Sequence, residues 1–274
     1  MSRRGAIHAV LTGATGGIGA ETAGDLARHG YRLTLLGRDA DRLAGLCERL
    51  RARGADVTSF ALDLSDTGAA DNIVRRIAAE RGAIDVLINN AAVTWFGRFA
   101  AMEPAEIDRL VGIDLVAPLQ LARAALPSML ARRTGTIVNI GSGFGSVGFS
   151  GFTAYSACKF ALRGFSEALR RELRGTGVAV VYVAPRYTRT AANAGAIERM
   201  AAALGLRSDE PARVARRVRR AIERREAEAL VGWPESLLMR INGAFPRLID
   251  AGFARTTDRI LRVVDGAPET IRHP

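Results

Sequence analysis

Residues 6–19 read Ala-Ile-His-Ala-Val-Leu-Thr-Gly-Ala-Thr-Gly-Gly-Ile-Gly, and this stretch decides the fold. Ile7–Thr12 is an apolar run of strand length that feeds a glycine-rich turn, Gly13-Ala14-Thr15-Gly16-Gly17-Ile18-Gly19. A helical pattern follows to about Arg28, with Gly30 as its stop. In this order the turn lies at a helix N-terminus, where unpaired backbone N–H groups and the positive end of the helix dipole favour a pyrophosphate. Gly13 allows the tight turn, Gly17 lets backbone approach the phosphates, and Gly19 permits close helix–strand packing. The spacing is G-x-x-x-G-x-G, not the G-x-G-x-x-G of the standard dinucleotide fingerprint. A purely structural turn uses glycines in the same way, but the leading strand and following helix favour cofactor binding.

Beyond this unit the two patterns alternate. Strands are expected at Tyr31–Leu36, Val57–Leu62, Ile84–Ile88, Thr136–Ile140 and Val178–Val183. Helices are expected from a cap at Asp39 to about Arg53, from a cap at Asp66 to about Arg81, and over Ile107–Arg132 and Ala154–Arg174. Strands rich in Val, Ile and Leu without clear alternation are buried on both faces, as in parallel sheets. The fold class is therefore α/β, a doubly wound parallel sheet. After Pro185 the pattern loosens into helices around Ala191–Leu204 and Pro211–Arg225, a short strand at Ala229–Trp233 and a helical region from Ser236. No linker or repeat divides the chain. The expectation is one domain over residues 1–274, with a core at about 6–190 and a helical C-terminal elaboration at about 191–274.

The composition, 48% hydrophobic and 24% charged over 274 residues, excludes a disordered chain. No apolar run reaches about 18 residues, so a spanning helix is not expected. Arg3 and Arg4 precede an apolar stretch as in a signal peptide, but that stretch is short and a first strand explains it better. Cys47, Cys158, His8, His29 and His273 have no metal-ligand spacing, so no metal and a reduced, cytoplasmic setting are expected. The net charge of +11 raises nucleic-acid binding, but the basic residues spread from Arg3 to Arg272 and no nucleic-acid motif accompanies them. No nucleic-acid partner is expected. In the densest patch, Arg213–Arg225, Val214, Val218 and Ile222 recur every four residues, which describes an amphipathic helix with a solvated basic face. One count says more. Of the 39 Lys and Arg residues only Lys159 is Lys. A lone lysine in such a background marks a place where a compact ammonium is needed and a wide guanidinium does not fit, unless it survives by chance.

Tyr155 and Lys159 are four apart on a predicted helix and share a face. Ser142 lies in the loop after a strand of the same sheet, at the strands' carboxyl ends where such sheets bind ligands. A phenol with a pKa of about 10 is a poor acid–base near neutrality unless its anion is stabilised. Lowering it by about three units takes about 4 kcal/mol. An ammonium at about 4 Å supplies that at an effective dielectric near 20. Ser142 then polarises a carbonyl oxygen while Tyr155 gives or takes its proton.

With these residues in place, the sequence resembles the short-chain dehydrogenases/reductases of the short single-domain type, over about residues 6–190. The glycine turn, Asn89-Asn90-Ala91-Ala92, Ser142 and Tyr155-Ser156-Ala157-Cys158-Lys159 match the family's motifs in order. The resemblance implies a Rossmann-type fold and hydride transfer between a nicotinamide cofactor and a carbonyl or secondary alcohol. It implies Tyr155 as acid–base, with Lys159 on the nicotinamide ribose and stabilising the tyrosinate. It places Asp63 on the adenine and Thr190 on the carboxamide. By the same carry-over Gly13, Thr15, Gly16, Gly17, Ile18, Gly19, Leu64, Asn89, Ala91 and Pro185 join Tyr155, Lys159 and Thr190 in the cofactor site. A homo-oligomer, dimer or tetramer, is expected.

Three positions depart from the family. Asp114 stands where Asn usually joins the catalytic set, so its charge is expected either to hold the relay water through its backbone or to perturb Lys159. Arg186 follows Pro185 where Gly is usual, putting a large cation near the nicotinamide or substrate. Ala92 replaces another usual Gly. At the end of the second strand, Gly37 takes the place of the acid that selects NAD(H), and Arg38 follows it. NADP(H) is therefore the preferred cofactor, with NAD(H) possible. Phe144, Val147, Phe149 and Phe152 suggest an apolar small-molecule substrate, or simply loop core. Two rival readings are a catalytically weak dinucleotide-binding sensor or partner protein, and an isomerase or dehydratase using the cofactor transiently. Leu237, Leu238, Ile241, Phe245, Leu248 and Ile249, with Arg240 and Arg247, form either a pocket-closing or interface helix or a peripheral membrane contact.

Overall fold

A computed structural model describes residues 6–66, 68–232, 241–243 and 246–266. Seven strands, β1 (His8–Thr12), β2 (Arg32–Gly37), β3 (Val57–Ala61), β4 (Val86–Asn89), β5 (Gly135–Ile140), β6 (Val178–Ala184) and β7 (Glu228–Leu230), form one sheet. All neighbours pair in parallel, in the order β3-β2-β1-β4-β5-β6-β7. This is the expected doubly wound Rossmann-type sheet. Both faces are buried, which is why the strands carry apolar residues at successive positions. Ala9 and Leu11 of β1 face one core, with Leu26 of α1 (Gly17–Arg28), Leu43 of α2 (Ala40–Arg51) and Val218 of α8 (Pro211–Arg224). Val10 faces the other core, with Ile77 of α3 (Ala69–Arg81), Leu121 of α5 (Ala117–Arg132) and Leu169 of α6 (Thr153–Glu172). The order reverses between β1 and β4, and the crevice at their carboxyl ends is where such sheets take a ligand.

Local differences have identifiable causes. Asp66 does not cap α3. Gly68 is its N-cap, and Asp66 Oδ1 accepts from the Gly68 N–H at 2.9 Å in the preceding turn. The helix expected over 107–132 begins earlier, as α4 (Pro104–Val111), and widens into a π-bulge at Gly112–Val116 before α5. Pro118 explains the bulge: it has no N–H for the Asp114 carbonyl, and its ring excludes regular helix there. The run from Pro104 to Arg132 is long and apolar enough, by length and composition, to cross a membrane. Here α5 lies against α3, β4 and β5, with Leu121, Ala125 and Met129 in the core.

Beyond residue 190 come α7 (Ala196–Ala203), α8, β7 and α9 (Pro246–Asp265). The sheet continues into this region, since β7 pairs with β6 and α8 packs on α1. Val214, Val218 and Ile222 of α8 are buried, so its apolar face belongs to the sheet and is closed to lipid. Its basic side is partly neutralised: Arg213 pairs with Asp209, Arg217 with Glu226, and Arg219 with Asp25 and Glu223. Of the C-terminal apolar set, Leu237, Leu238 and Phe245 lie outside the described residues, as do Arg240, Trp233 and the side chains of Leu248 and Ile249. Ile241 packs with Val147, Leu230 and Phe253.

Candidate active site

The crevice is built first from backbone. Gly13 has φ +62°, and a Cβ there would come within 2.7 Å of the Ala91 Cα. Only glycine allows the tips of β1 and β4 to approach so closely. Thr12 Oγ1 accepts from the N–H groups of Asn90 (2.9 Å) and Ala91 (3.0 Å), while Asn90 Nδ2 donates to the carbonyls of Thr12 and Gly13. Helix α1 has no side-chain cap and no acid in its first turn. Its leading N–H groups, on Gly17, Ile18 and Gly19, therefore suit an anion. A Cβ on Gly19 would lie 2.1 Å from the Gly13 carbonyl oxygen and 2.9 Å from Asn90 Nδ2. Gly19→Ala is expected to cost about 2–3 kcal/mol by overpacking, read as a lower urea midpoint at unchanged m-value. A Cβ on Gly17 would meet Thr190 Cγ2 at 2.7 Å, so the loop after β6 brings Thr190 over the same helix end.

Around this turn stand the other expected cofactor residues. Arg38 is exposed just beyond β2, and Asp39 caps α2 by accepting from the Arg42 N–H at 2.9 Å. The Arg42 guanidinium donates to the Thr15 carbonyl at 3.2 Å, beside the glycine turn. Arg42 was not legible as a site residue, because nothing local distinguishes it among 38 arginines. Asp63 accepts from Ser65 N–H (2.9 Å) and Oγ (2.8 Å), bonds that hold its carboxyl below the ordinary range. Leu64 packs on the core cluster beneath it. Asn89 requires a correction. Its side chain turns into the core and donates to Asn139 Oδ1 at 2.9 Å, so a cofactor meets its backbone at most. Asn90 is the residue that braces the glycine turn.

At the other end of the crevice, Ser142 follows β5 and opens a 3-10 turn, its Oγ accepting from the Phe144 N–H at 3.1 Å. Tyr155 and Lys159 project from the first turns of α6, and Tyr155 and Ser142 line the same cavity. Lys159 is 1% exposed, with Nζ 5.3 Å from the Tyr155 ring centroid. Glycines permit this close packing. A Cβ on Gly141 would lie 2.2 Å from the Tyr182 ring, and one on Gly145 would lie 2.7 Å from the Lys159 carbonyl oxygen. Lys159 Nζ lies 2.9 Å from Asp114 Oδ2, and Asp114 Oδ1 accepts from the Val93 N–H at 2.7 Å. Of the two possibilities weighed for Asp114, the side chain thus engages Lys159 directly.

The electrostatics differ from the sequence-based expectation in one respect. Burial pushes the Tyr155 phenol up; Lys159 and Ser142 pull it down, and Asp114 pushes it up again, so the net direction is up. Burial alone would lower Lys159, but Asp114 and Tyr155 outweigh it and hold the ammonium above its usual range. The neighbouring Cys158 thiol is pushed up to about 11, chiefly by burial and then by Asp114.

Ser142 and Tyr155 open onto a cavity of about 300 Å³, also lined by Ile18, Pro185, Phe144, Phe149, Phe152 and Phe253. Phe144 stacks on Phe149 at 4.6 Å and contacts Phe152 at 4.9 Å. The aromatic loop residues are thus core on one side and pocket wall on the other. Phe253 of α9 closes on Phe149 edge-to-face at 5.7 Å, a contribution invisible before folding. Arg186, the large cation expected near the nicotinamide or substrate, lines the cavity and is paired there. Its Nε and Nη2 donate to Asp209 Oδ2 and Oδ1 at 3.1 and 2.9 Å, and Asp209 is buried.

The profile described as short chain dehydrogenase matches residues 7–201. The chain is 37% identical over 178 residues to the ketoacyl reductase HetN of Nostoc sp., covering 65% of this chain and 62% of the relative. It is 32% identical over 188 residues to the 3-ketodihydrosphingosine reductase of Bos taurus, covering 67% of this chain and 57% of the relative. The match thus spans less than two thirds of the length of each of these curated relatives. A solved metagenomic short-chain oxidoreductase in complex with NADP superposes with a TM-score of 0.71 at 35% identity, covering 82% of this chain and 96% of that one.

Proposed function

This chain belongs to the short-chain dehydrogenase/reductase family, and on that premise we propose that it reduces the carbonyl of a small apolar substrate, or oxidises the matching secondary alcohol, with NADPH as preferred cofactor. The observation that carries this reading is the convergence of the Ser142 hydroxyl, the Tyr155 phenol and the buried Lys159 ammonium beside one apolar cavity. The uncapped, acid-free N-terminus of α1 fits a pyrophosphate, and the glycines keep that approach open. A nicotinamide dinucleotide bound there supplies the hydride for reduction or accepts it in oxidation. In reduction, Ser142 holds the carbonyl oxygen, Tyr155 gives that oxygen its proton, and Lys159 holds the ribose and steadies the tyrosine. The aromatic wall excludes water and favours an apolar substituent on the carbonyl. A panel of carbonyl compounds followed by NADPH absorbance tests this reading. NADPH binding without turnover of any of them would favour a dinucleotide-binding sensor instead.

The cofactor preference rests on Gly37, Arg38 and Arg42. Gly37 offers no acid to repel a 2′-phosphate, Arg38 stands exposed beside it, and Arg42 reaches the glycine turn. The expected result is a kcat/KM for NADPH about ten-fold or more above that for NADH, the yield of one charge-assisted hydrogen bond. Arg38→Ala should remove most of that advantage while sparing NADH. Equal values in the wild type would remove the assignment.

A further inference from the structure

Lys159 and Asp114 form an ion pair closed to solvent, with Nζ and Oδ2 2.9 Å apart and side chains 2% and 0% exposed. The carboxylate is locked in place. Its other oxygen is held by the Val93 N–H, and its backbone sits on the π-bulge that Pro118 imposes. We propose that Asp114 is a positioning residue that fixes Lys159 and counterbalances its charge, so that Tyr155 keeps its proton through neutral pH and the site is set for reduction. This rests on the roles given above to Tyr155 and Lys159, and deepens them by assigning a working direction.

The argument is one of opposed fields. Seen from the phenol, an unopposed ammonium stabilises tyrosinate, whereas an ammonium with a carboxylate 2.9 Å away acts as a dipole whose effect falls off faster. Burial of the phenol acts in the same sense as the carboxylate. The other titratable groups facing Tyr155 are Lys159 and Cys158 on its own helix and Tyr182 on β6, with Arg186 and Arg207 on the cavity wall. Cys158 and Tyr182 are themselves pushed up, to about 11 and about 12, and stay neutral at physiological pH. Arg186 is occupied by Asp209. Burial pushes the Asp114 carboxyl up as well, while the Lys159 ammonium and the Val93 N–H pull it down; ionised and paired with Lys159 at 2.9 Å, it alone among these groups brings negative charge to the phenol. A proton donor is what carbonyl reduction requires of Tyr155, while alcohol oxidation requires its conjugate base and so a higher pH.

The test reads Tyr155 directly, as the tyrosinate absorbance of the protein minus that of Tyr155→Phe during a pH titration, with no turnover involved. In the wild type the midpoint is expected above that of free tyrosine titrated alongside, since burial of the phenol pushes it up. In Asp114→Asn, which keeps an acceptor for Val93, it is expected to fall by about one unit or more, a ten-fold weaker hold on the proton. The high-pH limb of the reductase kcat/KM profile should move down with it, a change that simple loss of structure does not produce. A wild-type midpoint below that of free tyrosine overturns the proposal without recourse to any variant. An unchanged midpoint in Asp114→Asn with native circular dichroism overturns it equally. The titration needs no substrate, so its outcome holds whether or not a reducible carbonyl is found.

Discussion

Tyr155→Phe is expected to lower kcat for carbonyl reduction by about 10²–10⁴-fold, the usual worth of a positioned general acid. NADPH affinity should be nearly unchanged. The substitution removes one oxygen and its proton and leaves the ring where it is. Phe144 and Phe152 meet that ring at 6.4 and 6.3 Å in edge-on contacts that need no hydroxyl. Burial of the ring is likewise independent of the hydroxyl. Steady-state kinetics together with calorimetric titration of NADPH separate the two effects. Residual activity above about a tenth of wild type would assign the proton to another group, since general acid catalysis is worth more than that.

Lys159→Arg is expected to lose at least about 10²-fold in kcat/KM, although the charge is retained. The reason is space. Lys159 is 1% exposed, its ammonium lies against Asp114, and the Gly145 backbone is packed against its carbonyl. A planar fork in that volume must displace Asp114 from Val93 or push α6 from the glycine loop, at an overpacking cost of about 1–3 kcal/mol. Thermal melting measures that cost, and kinetics measure the loss of geometry at Tyr155. If Lys159→Arg keeps near wild-type activity, the chain's single lysine is an accident of composition.

The parallel sheet, the glycine turn and the placement of Tyr155 and Lys159 on one helix face were legible because each rests on short-range pattern. Strand runs, caps such as Asp39 and an i, i+4 spacing are properties of neighbouring residues. Other features had a local signal that was not used. Pro118 inside a helical pattern announces the π-bulge that seats Asp114. The alternation along β4 puts Asn89 on the same face as Leu87, toward α5, and leaves the crevice to Asn90.

The sequence alone determined which backbone segments become strands and helices, where backbone N–H groups are left open to an anion, and which three side chains are the candidates for acid–base chemistry. Those follow from periodicity, glycine stereochemistry and intrinsic pKa values, all carried within a few residues. Only the tertiary structure decided the charges around that chemistry. It set Asp114 against Lys159 from a different helix, Asp209 against Arg186 from beyond the sheet, and Phe253 against the pocket from the last helix. Coulomb energy depends on distance and on exclusion of water, and both are fixed only when segments far apart in the chain pack together.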